Sequence, residues 1–523
     1  MRGWKIVGLA LIVLVPSLVA CTRQSAAVSQ VAELVAQADA APTPKLDWVE
    51  CPESELSEYQ CATAVVPIDY AQPNGATLSL AVIKQPAADP DRRIGTLFTA
   101  VGGPGGSGFK WASHGVLSSG EVARRFDVIT FDQRGIGRSG QVRCFANTEE
   151  QHRFWSGFLL PPTSADQEAV AARNARELAA GCAAHSPVLL PHLTTVDAAR
   201  DLDLLRRAVG ETTMTYTGGS YASYLGEVYG ALFGDRVRAL QLGSMIDPDA
   251  LTNDSRAQIA DSAAGTEEVL AEFLRLCAEA GQPHCVFAGP TKTDAAALRT
   301  RNDAVLDRLR QGPIVVGQGA HTRSVTLTEV LPAHATMLYD TKEGWPALAE
   351  LLTELERGPA GNPDAVQKIL DAGGFAEDFL DAFTAISCAD NSFGREPEQW
   401  PAMAAELTST APHYGAMWLY LRQACGAWPS AQGYPQRITG PWILRSDKPA
   451  LLFNNRFDPV TPLTAARRAQ QELVNARLVI VEGGYGHLVV SDCAGRLQEH
   501  YLVDLQLPAP GATCKPDKAP FAD

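Results

Sequence analysis

The run Thr217-Gly218-Gly219-Ser220-Tyr221-Ala222 follows a short apolar segment and opens a helical one. A serine at such a strand-to-helix joint sits on a tight turn, so its neighbours two residues before and after must be small. Gly218 and Ala222 meet that need, with Ala where Gly is more usual. The turn lifts the hydroxyl above the sheet at a helix N-terminus, where backbone N–H groups and the dipole favour developing negative charge. A hydroxyl needs a base to become a nucleophile. Asp458 stands in the loop after the apolar run Ala450–Asn454, and Thr461-Pro462 then start a helix as cap and first-turn proline. The next apolar run, Leu478–Val481, leads into Glu482-Gly483-Gly484-Tyr485-Gly486-His487. Ser220, Asp458 and His487 therefore fall at three strand ends in the order serine, acid, histidine. Those types at those places do acyl transfer: the serine attacks, the histidine carries the proton, and the aspartate orients the histidine. Other acids fit less well. Asp132 precedes the serine, Asp390 lies in a helical block, and Asp492 follows the histidine.

A second element is Val101-Gly102-Gly103-Pro104-Gly105-Gly106-Ser107-Gly108, again after an apolar run. Glycines let backbone approach a ligand closely. Gly103 is expected to give one oxyanion N–H and Tyr221 the other, each donor worth roughly 2.7–4 kcal/mol of barrier. Gly103, Gly105 and Gly108 also fit GxGxxG, with Asp132 at the end of the next strand, as in a dinucleotide site. Pro104 inside the turn speaks against that, and the reading leaves the three strand-end residues without work. No cofactor is expected. No metal is expected either: CxxC and HExxH are absent, and His284-Cys285 has no second ligand pair at finger spacing.

The elements that must position these residues are short, unbroken apolar runs: Thr96–Val101, Phe126–Phe131, Met214–Thr217, Val237–Leu242, Ala450–Asn454 and Leu478–Val481. Such runs suit strands buried on both faces of a mainly parallel sheet. Helical patterns over Thr195–Val209, Tyr221–Phe233 and Pro462–Leu473 alternate with them, which reads as an α/β fold. Between residues 247 and 430 the alternation stops. Helical runs at Gln258–Ala280, Asp294–Gln311, Trp345–Arg357 and Pro363–Leu380 occupy that stretch, then strands resume. The expected organisation is a core over 49–246 and 431–523 with a helical cap at 247–430 inserted into it.

The chain has 523 residues, 46% hydrophobic and 20% charged, which is ordinary globular composition. Its net charge of −15 and the lack of a basic stretch argue against a nucleic-acid binder. Arg2 and Lys5 precede the apolar run Ile6–Ala20, which is short for a membrane span and ends in Leu18-Val19-Ala20-Cys21. Residues 1–20 read as an export signal, and Cys21 at the cut resembles a bacterial lipobox, where it is lipidated and anchors the chain to the outer face of the membrane. Residues 21–48, rich in Ala, Gln, Ser and Thr, read as a flexible tether. Of 11 cysteines, 10 remain after Cys21. An exported chain with an even number suggests five disulfides. Pairing in sequence order gives 51–61, 144–182, 277–285, 388–425 and 493–514, one arrangement among many.

Taken together, GGPGGSG, the run Asp132-Gln133-Arg134-Gly135-Ile136-Gly137-Arg138-Ser139, and GGSYA resemble the proline iminopeptidase and tripeptidyl aminopeptidase group of α/β-hydrolase serine peptidases. FDPVTP, GYGH, the spaced cysteines and Ser387-Cys388-Ala389-Asp390 resemble its secreted tripeptidyl aminopeptidase branch, and the lipobox its actinobacterial cell-envelope members. The likeness spans residues 49–515. It implies an α/β-hydrolase fold and release of short N-terminal pieces from a peptide or protein substrate; a monomer is expected. Some relatives are esterases, an alternative that the same triad serves. Members often carry His or Asn-Pro before GGPG, where Val101 stands here. The group's cap carboxylates hold a substrate's free α-amino group, and Asp390, Glu267 and Glu268 are the candidates for that task.

Overall fold

In the computed structural model of the protein, residues 29–391, 393, 397–429 and 434–522 are described. Six strands match the unbroken apolar runs: β4 (Gly95–Ala100), β5 (Phe126–Phe131), β6 (Met214–Gly219), β7 (Val237–Gly243), β10 (Ala450–Phe457) and β11 (Ala476–Tyr485). They lie side by side in the order β5-β4-β6-β7-β10-β11, all parallel. Every residue of β4 is buried, as a strand covered on both faces requires. The chain runs from β4 outward to β5, then returns across β4 to β6. That reversal opens a crevice at the carboxyl ends of β4 and β6, the place where open α/β sheets bind ligands. The glycine loop leaves β4 there, and Ser220 leaves β6.

Three further strands extend one edge: β1 (Val49–Glu50), β2 (Gln60–Pro67) and β3 (Thr77–Gln85) pair antiparallel, and β3 also runs antiparallel to β5. β12 (Thr513–Cys514) closes the other edge. These lie outside the six expected runs, because β2 and β3 alternate buried and more exposed residues rather than running apolar throughout.

The stretch from 247 to 430 is mainly helical, with two differences from expectation. It carries a hairpin of β8 (Ile314–Gln318) and β9 (His321–Val325). The single helix expected over 363–380 is two, Pro363–Gly373 and Glu377–Asp390, parted at the helix-breaking pair Gly373-Gly374. The second of these packs directly on the glycine loop: a Cβ on Gly103 or Gly105 would stand 2.9 Å from Phe379. Helix Thr148–Ser156, before the serine in sequence, also meets it through Gln151 and Trp155, which donate to Asp381.

All five disulfides follow sequence order: Cys51–Cys61, Cys144–Cys182, Cys277–Cys285, Cys388–Cys425 and Cys493–Cys514. Cys285 is thereby removed from any metal reading. Residues 1–28, with the export signal and Cys21, lie outside the described residues.

The tether expected over 21–48 is corrected for its second half. Residues 29–40 form a helix. Val31, Leu34 and Ala38 are buried at helical spacing and join the main core, and Arg207 donates to the Ala38 and Ala41 carbonyls at the helix end. An alanine-rich segment is easily taken for linker composition, yet alanine is the best helix former. Leu34→Ala is expected to lower stability by about 2–5 kcal/mol, as for other buried leucines. Thermal unfolding checks it; an unchanged midpoint would return this segment to the role of tether.

Candidate active site

Ser220 stands between β6 and helix Tyr221–Phe233 with φ 59° and ψ −133°. A non-glycine residue rarely adopts that conformation, and here neighbouring packing holds it. The Ser220 N–H donates to the Gly243 carbonyl on β7, at 3.1 Å. A side chain on Gly218 would drive its Cβ to 2.6 Å from the Ala222 carbonyl, so the small residue expected before the serine is a steric requirement. Gly102 meets the serine from β4: a Cβ there would lie 2.9 Å from the Ser220 Cβ and 3.2 Å from its Oγ. Gly102 was not singled out by its sequence context, since any glycine in a run of five looks alike.

His487 Nδ1 lies 3.1 Å from both carboxylate oxygens of Asp458. Asp458 is buried behind it, and its Oδ1 also accepts from the Thr461 and Val460 N–H groups at 2.9 and 3.1 Å. With Nδ1 committed to the aspartate, Nε2 is the nitrogen available to a nucleophile. The histidine loop is pinned on several sides. The His487 N–H donates to the Tyr339 carbonyl at 2.8 Å, and the Tyr339 ring sits 5.1 Å from the imidazole. Asn455 Nδ2 donates to the Gly486 and Leu488 carbonyls, and Ser244 Oγ accepts from the Leu488 N–H. Asn455, Ser244 and Tyr339 carry no sequence signal for this work; only their distant partners reveal it.

Ser220 and His487 line one cavity of about 850 Å³, together with Gly102, Gly103, Tyr221 and Asp390. Phe375, Phe379, Phe383, Trp418 and Ile259 give part of the wall an apolar face, beside polar Gln258, Ser262, Ser387 and Asn391. The arrangement can therefore shelter an acyl group in a chamber that holds Ser220 and His487, with buried Asp458 behind the histidine.

The DQRGxGRS run holds the glycine loop from below. Asp132 accepts from Ser107 Oγ at 2.6 Å and from the Arg138 N–H at 2.8 Å. Gln133 Nε2 donates to the Val101 carbonyl. Arg134 is buried and makes a two-pronged pair with buried Asp201, at 2.7 and 2.6 Å, while its other N–H groups reach the Pro67, Ile68 and His192 carbonyls. Asp132 is thus tied to the loop itself rather than free for a ribose.

Of the three carboxylates considered for a substrate amine, Asp390 reaches the cavity and two do not. Glu267 accepts from the His413 backbone and ring, and Glu268 pairs with Arg456 at 2.9 Å. Helix Ser255–Ala280 turns Gln258, Ile259 and Ser262 to the cavity, which leaves Glu267 and Glu268 beyond its wall. Asp390 takes hydrogen bonds from the Thr195 N–H and Oγ1 at 2.7 and 2.6 Å, and the Thr195 hydroxyl also meets the Tyr221 hydroxyl. Burial pushes the Asp390 carboxyl up to about 7, against the pull of those bonds.

Asp458→Asn would keep the fold but present the histidine in the wrong tautomer; a fall in kcat of about 10⁴ is expected. Steady-state kinetics beside an unfolding curve check it, and a loss under tenfold would take Asp458 out of the arrangement.

Two family models match the chain: the alpha/beta hydrolase fold over residues 101–275, and TAP-like protein over residues 411–514. A tripeptidyl aminopeptidase of Streptomyces lividans is 28% identical over 494 residues, covering 91% of this chain and 87% of that one. Carboxylesterase B of Mycobacterium tuberculosis is 29% identical over 504 residues, 90% of each chain. Serine protease Hip1 of the same organism is 26% identical over 479 residues, 87% of each. With the sheet order, the serine elbow and both model matches in agreement, this chain belongs to the α/β-hydrolase family, in the group with a TAP-like C-terminal region.

Proposed function

We propose that the protein is an exported, lipid-anchored serine peptidase that removes short pieces from the free N-termini of peptides. The observation that carries the reading is the strained Ser220 facing the same cavity as His487, with Asp458 at 3.1 Å behind the imidazole. His487 takes the Ser220 proton as the serine attacks the carbonyl carbon. The Gly103 and Tyr221 amides hold the oxyanion, and Asp458 steadies the cationic imidazole. His487 then protonates the leaving amine, and water repeats the sequence on the acyl-enzyme. The relatives named as an aminopeptidase and a serine protease favour peptide bonds. Export and anchoring rest on residues 1–21 and agree with five disulfides, which persist in oxidising compartments.

For the amino terminus, Asp390 supplies a carboxylate on the cavity wall. Its neighbour Asn391, also on the wall, has a buried Oδ1 that finds no hydrogen-bond partner among the described residues, an acceptor suited to an ammonium. A second reading, an esterase with the same triad, is favoured by the aromatic wall and the carboxylesterase relative.

Pairs of fluorogenic peptides, identical but for a free or acetylated N-terminus, separate the readings, with Ser220→Ala as control. The expected result is a strong preference for the free amine and loss of nearly all turnover in the variant. Equal cleavage would remove the aminopeptidase assignment. Hydrolysis of small esters without any peptide cleavage would replace it with the esterase.

The ratio of kcat/KM for the free to the acetylated peptide cancels any titration the two share. Because the Asp390 carboxyl lies near 7, its charged form grows as pH rises, and with it the hold on an ammonium. The ratio should climb between pH 6 and 7.5, then fall as the substrate amine itself deprotonates at about 8. Asp390→Asn should flatten the climb; an unchanged profile would remove Asp390 from the amine site.

A further inference from the structure

Helix Glu377–Asp390 places Phe379, Phe383, Ser387 and Asp390 on the cavity wall, four, four and three residues apart on one face. Arg422, just before the short turn Gln423–Ala427, faces the middle of that row and also lines the cavity. Its Nη1 donates to Ser387 Oγ, and its guanidinium carbon lies 4.2 Å from the centre of the Phe383 ring. Arg422 is only 9% exposed.

What distinguishes this arginine is its company. The other buried arginines of the core have acids: Arg134 has Asp201, Arg200 has Asp197 and Arg206 has Asp203. Among the described residues no carboxylate lies within ion-pair distance of Arg422, and Ser387 Oγ is the one side-chain acceptor that its N–H groups find. Asp390, one turn along the helix, spends its oxygens on Thr195 and feels the charge of Arg437 instead. The ionisable group that bears on Arg422 is the Tyr339 phenol, which is neutral at ordinary pH. Burial pulls the guanidinium down to about 10, so it is still charged in neutral solution. A buried charge is normally paired, because a hydroxyl and a ring face do not replace lost hydration. A guanidinium also matches a carboxylate in shape, two N–H groups to two oxygens.

We propose that Arg422 is a specificity residue that receives a carboxylate of the substrate, so that preferred substrates carry an acid within reach of the reacting bond. This rests on the hydrolase reading of Ser220 but not on the bond being a peptide. The acid has two sources, the side chain of Asp or Glu and the terminal carboxylate of a short peptide. Tyr339, with its ring 5.1 Å from the His487 imidazole, lines the same cavity as His487 and Arg422, which puts the subsite in the chamber that holds Ser220.

The test uses the described protein, wild type and Arg422→Gln, on matched substrates. One peptide set exchanges Glu for Gln at each position flanking the cleaved bond. A second exchanges a free C-terminal carboxylate for an amide. A third set, independent of peptidase action, compares the p-nitrophenyl half ester of succinic acid with its methyl-capped form. Wild type should favour the acid member of at least one set by roughly 10- to 100-fold in kcat/KM, the worth of a charge-assisted hydrogen-bonded pair. Arg422→Gln should bring that ratio close to one, and Arg422→Lys should restore part of it. The set that shows the preference identifies the source of the acid. Equal rates for acid and neutral members in all three sets would overturn the proposal, as would a preference that survives in Arg422→Gln. Preference on the esters with no peptide cleaved would leave Arg422 its role and overturn the peptidase reading instead. Should Arg422→Gln fail to fold, the wild-type ratios alone decide, together with their decline at high salt.

Discussion

Everything at the site depends on one residue held in a conformation it would not choose. Ser220 at positive φ can exist only where the chain leaves β6 abruptly and enters a helix at once. That turn sets the nearby demands: no side chain on Gly218, none on Gly102, and a β7 carbonyl to take the Ser220 N–H. In return the hydroxyl points into the crevice at the point where the strand order reverses, with the first N–H groups of a helix beneath it. In the proposed function, the Ser220 hydroxyl is therefore aimed by backbone geometry, and β10 and β11 need only bring Asp458 and His487 to the same end of the sheet.

Charge is handled in two ways around this centre. Next in sequence to the residues that hold the glycine loop, Arg134 is sealed together with Asp201, and carbonyls of Pro67, Ile68 and His192 satisfy the remaining guanidinium N–H groups. A buried pair of this kind adds little net stability but is costly to break, so it fixes geometry. Asp132 serves the same end by tying Ser107 and Arg138 across the loop. On the cavity wall, Asp390 shares itself with a threonine, and among the described residues Arg422 has no acid within ion-pair distance. In the proposed function, one set of charges holds the loops in place and the other receives the substrate.

The sequence was legible where function and secondary structure coincide. Ser220, Asp458 and His487 stand beside the apolar runs that become β6, β10 and β11, so their addresses could be read from the runs. The cysteines paired in order because each partner lies within a local excursion of chain, from 8 to 38 residues apart. The edge strands β2 and β3 escaped notice because half their residues face a less buried side. The helix over 29–40 hid because its buried face is only Val31, Leu34 and Ala38 amid Ala, Gln and Ser of linker-like composition. Gly102, Asn455, Ser244, Tyr339 and Arg422 could not be found at all: each is an ordinary residue type whose role comes from a partner far along the chain. The same holds for the failure of Glu267 and Glu268, since adjacent acids on a helix say nothing of which wall that helix turns to the cavity.

The central claim is that Ser220 becomes covalently acylated, with His487 carrying the proton. The most direct measurement is rapid acid quenching during turnover of an activated ester, followed by mass analysis of the intact protein and its peptides. The account predicts one added acyl group, located on the peptide containing Ser220, present in wild type and absent in His487→Ala. Turnover with no adduct on that peptide, or an adduct on any other residue, would contradict it.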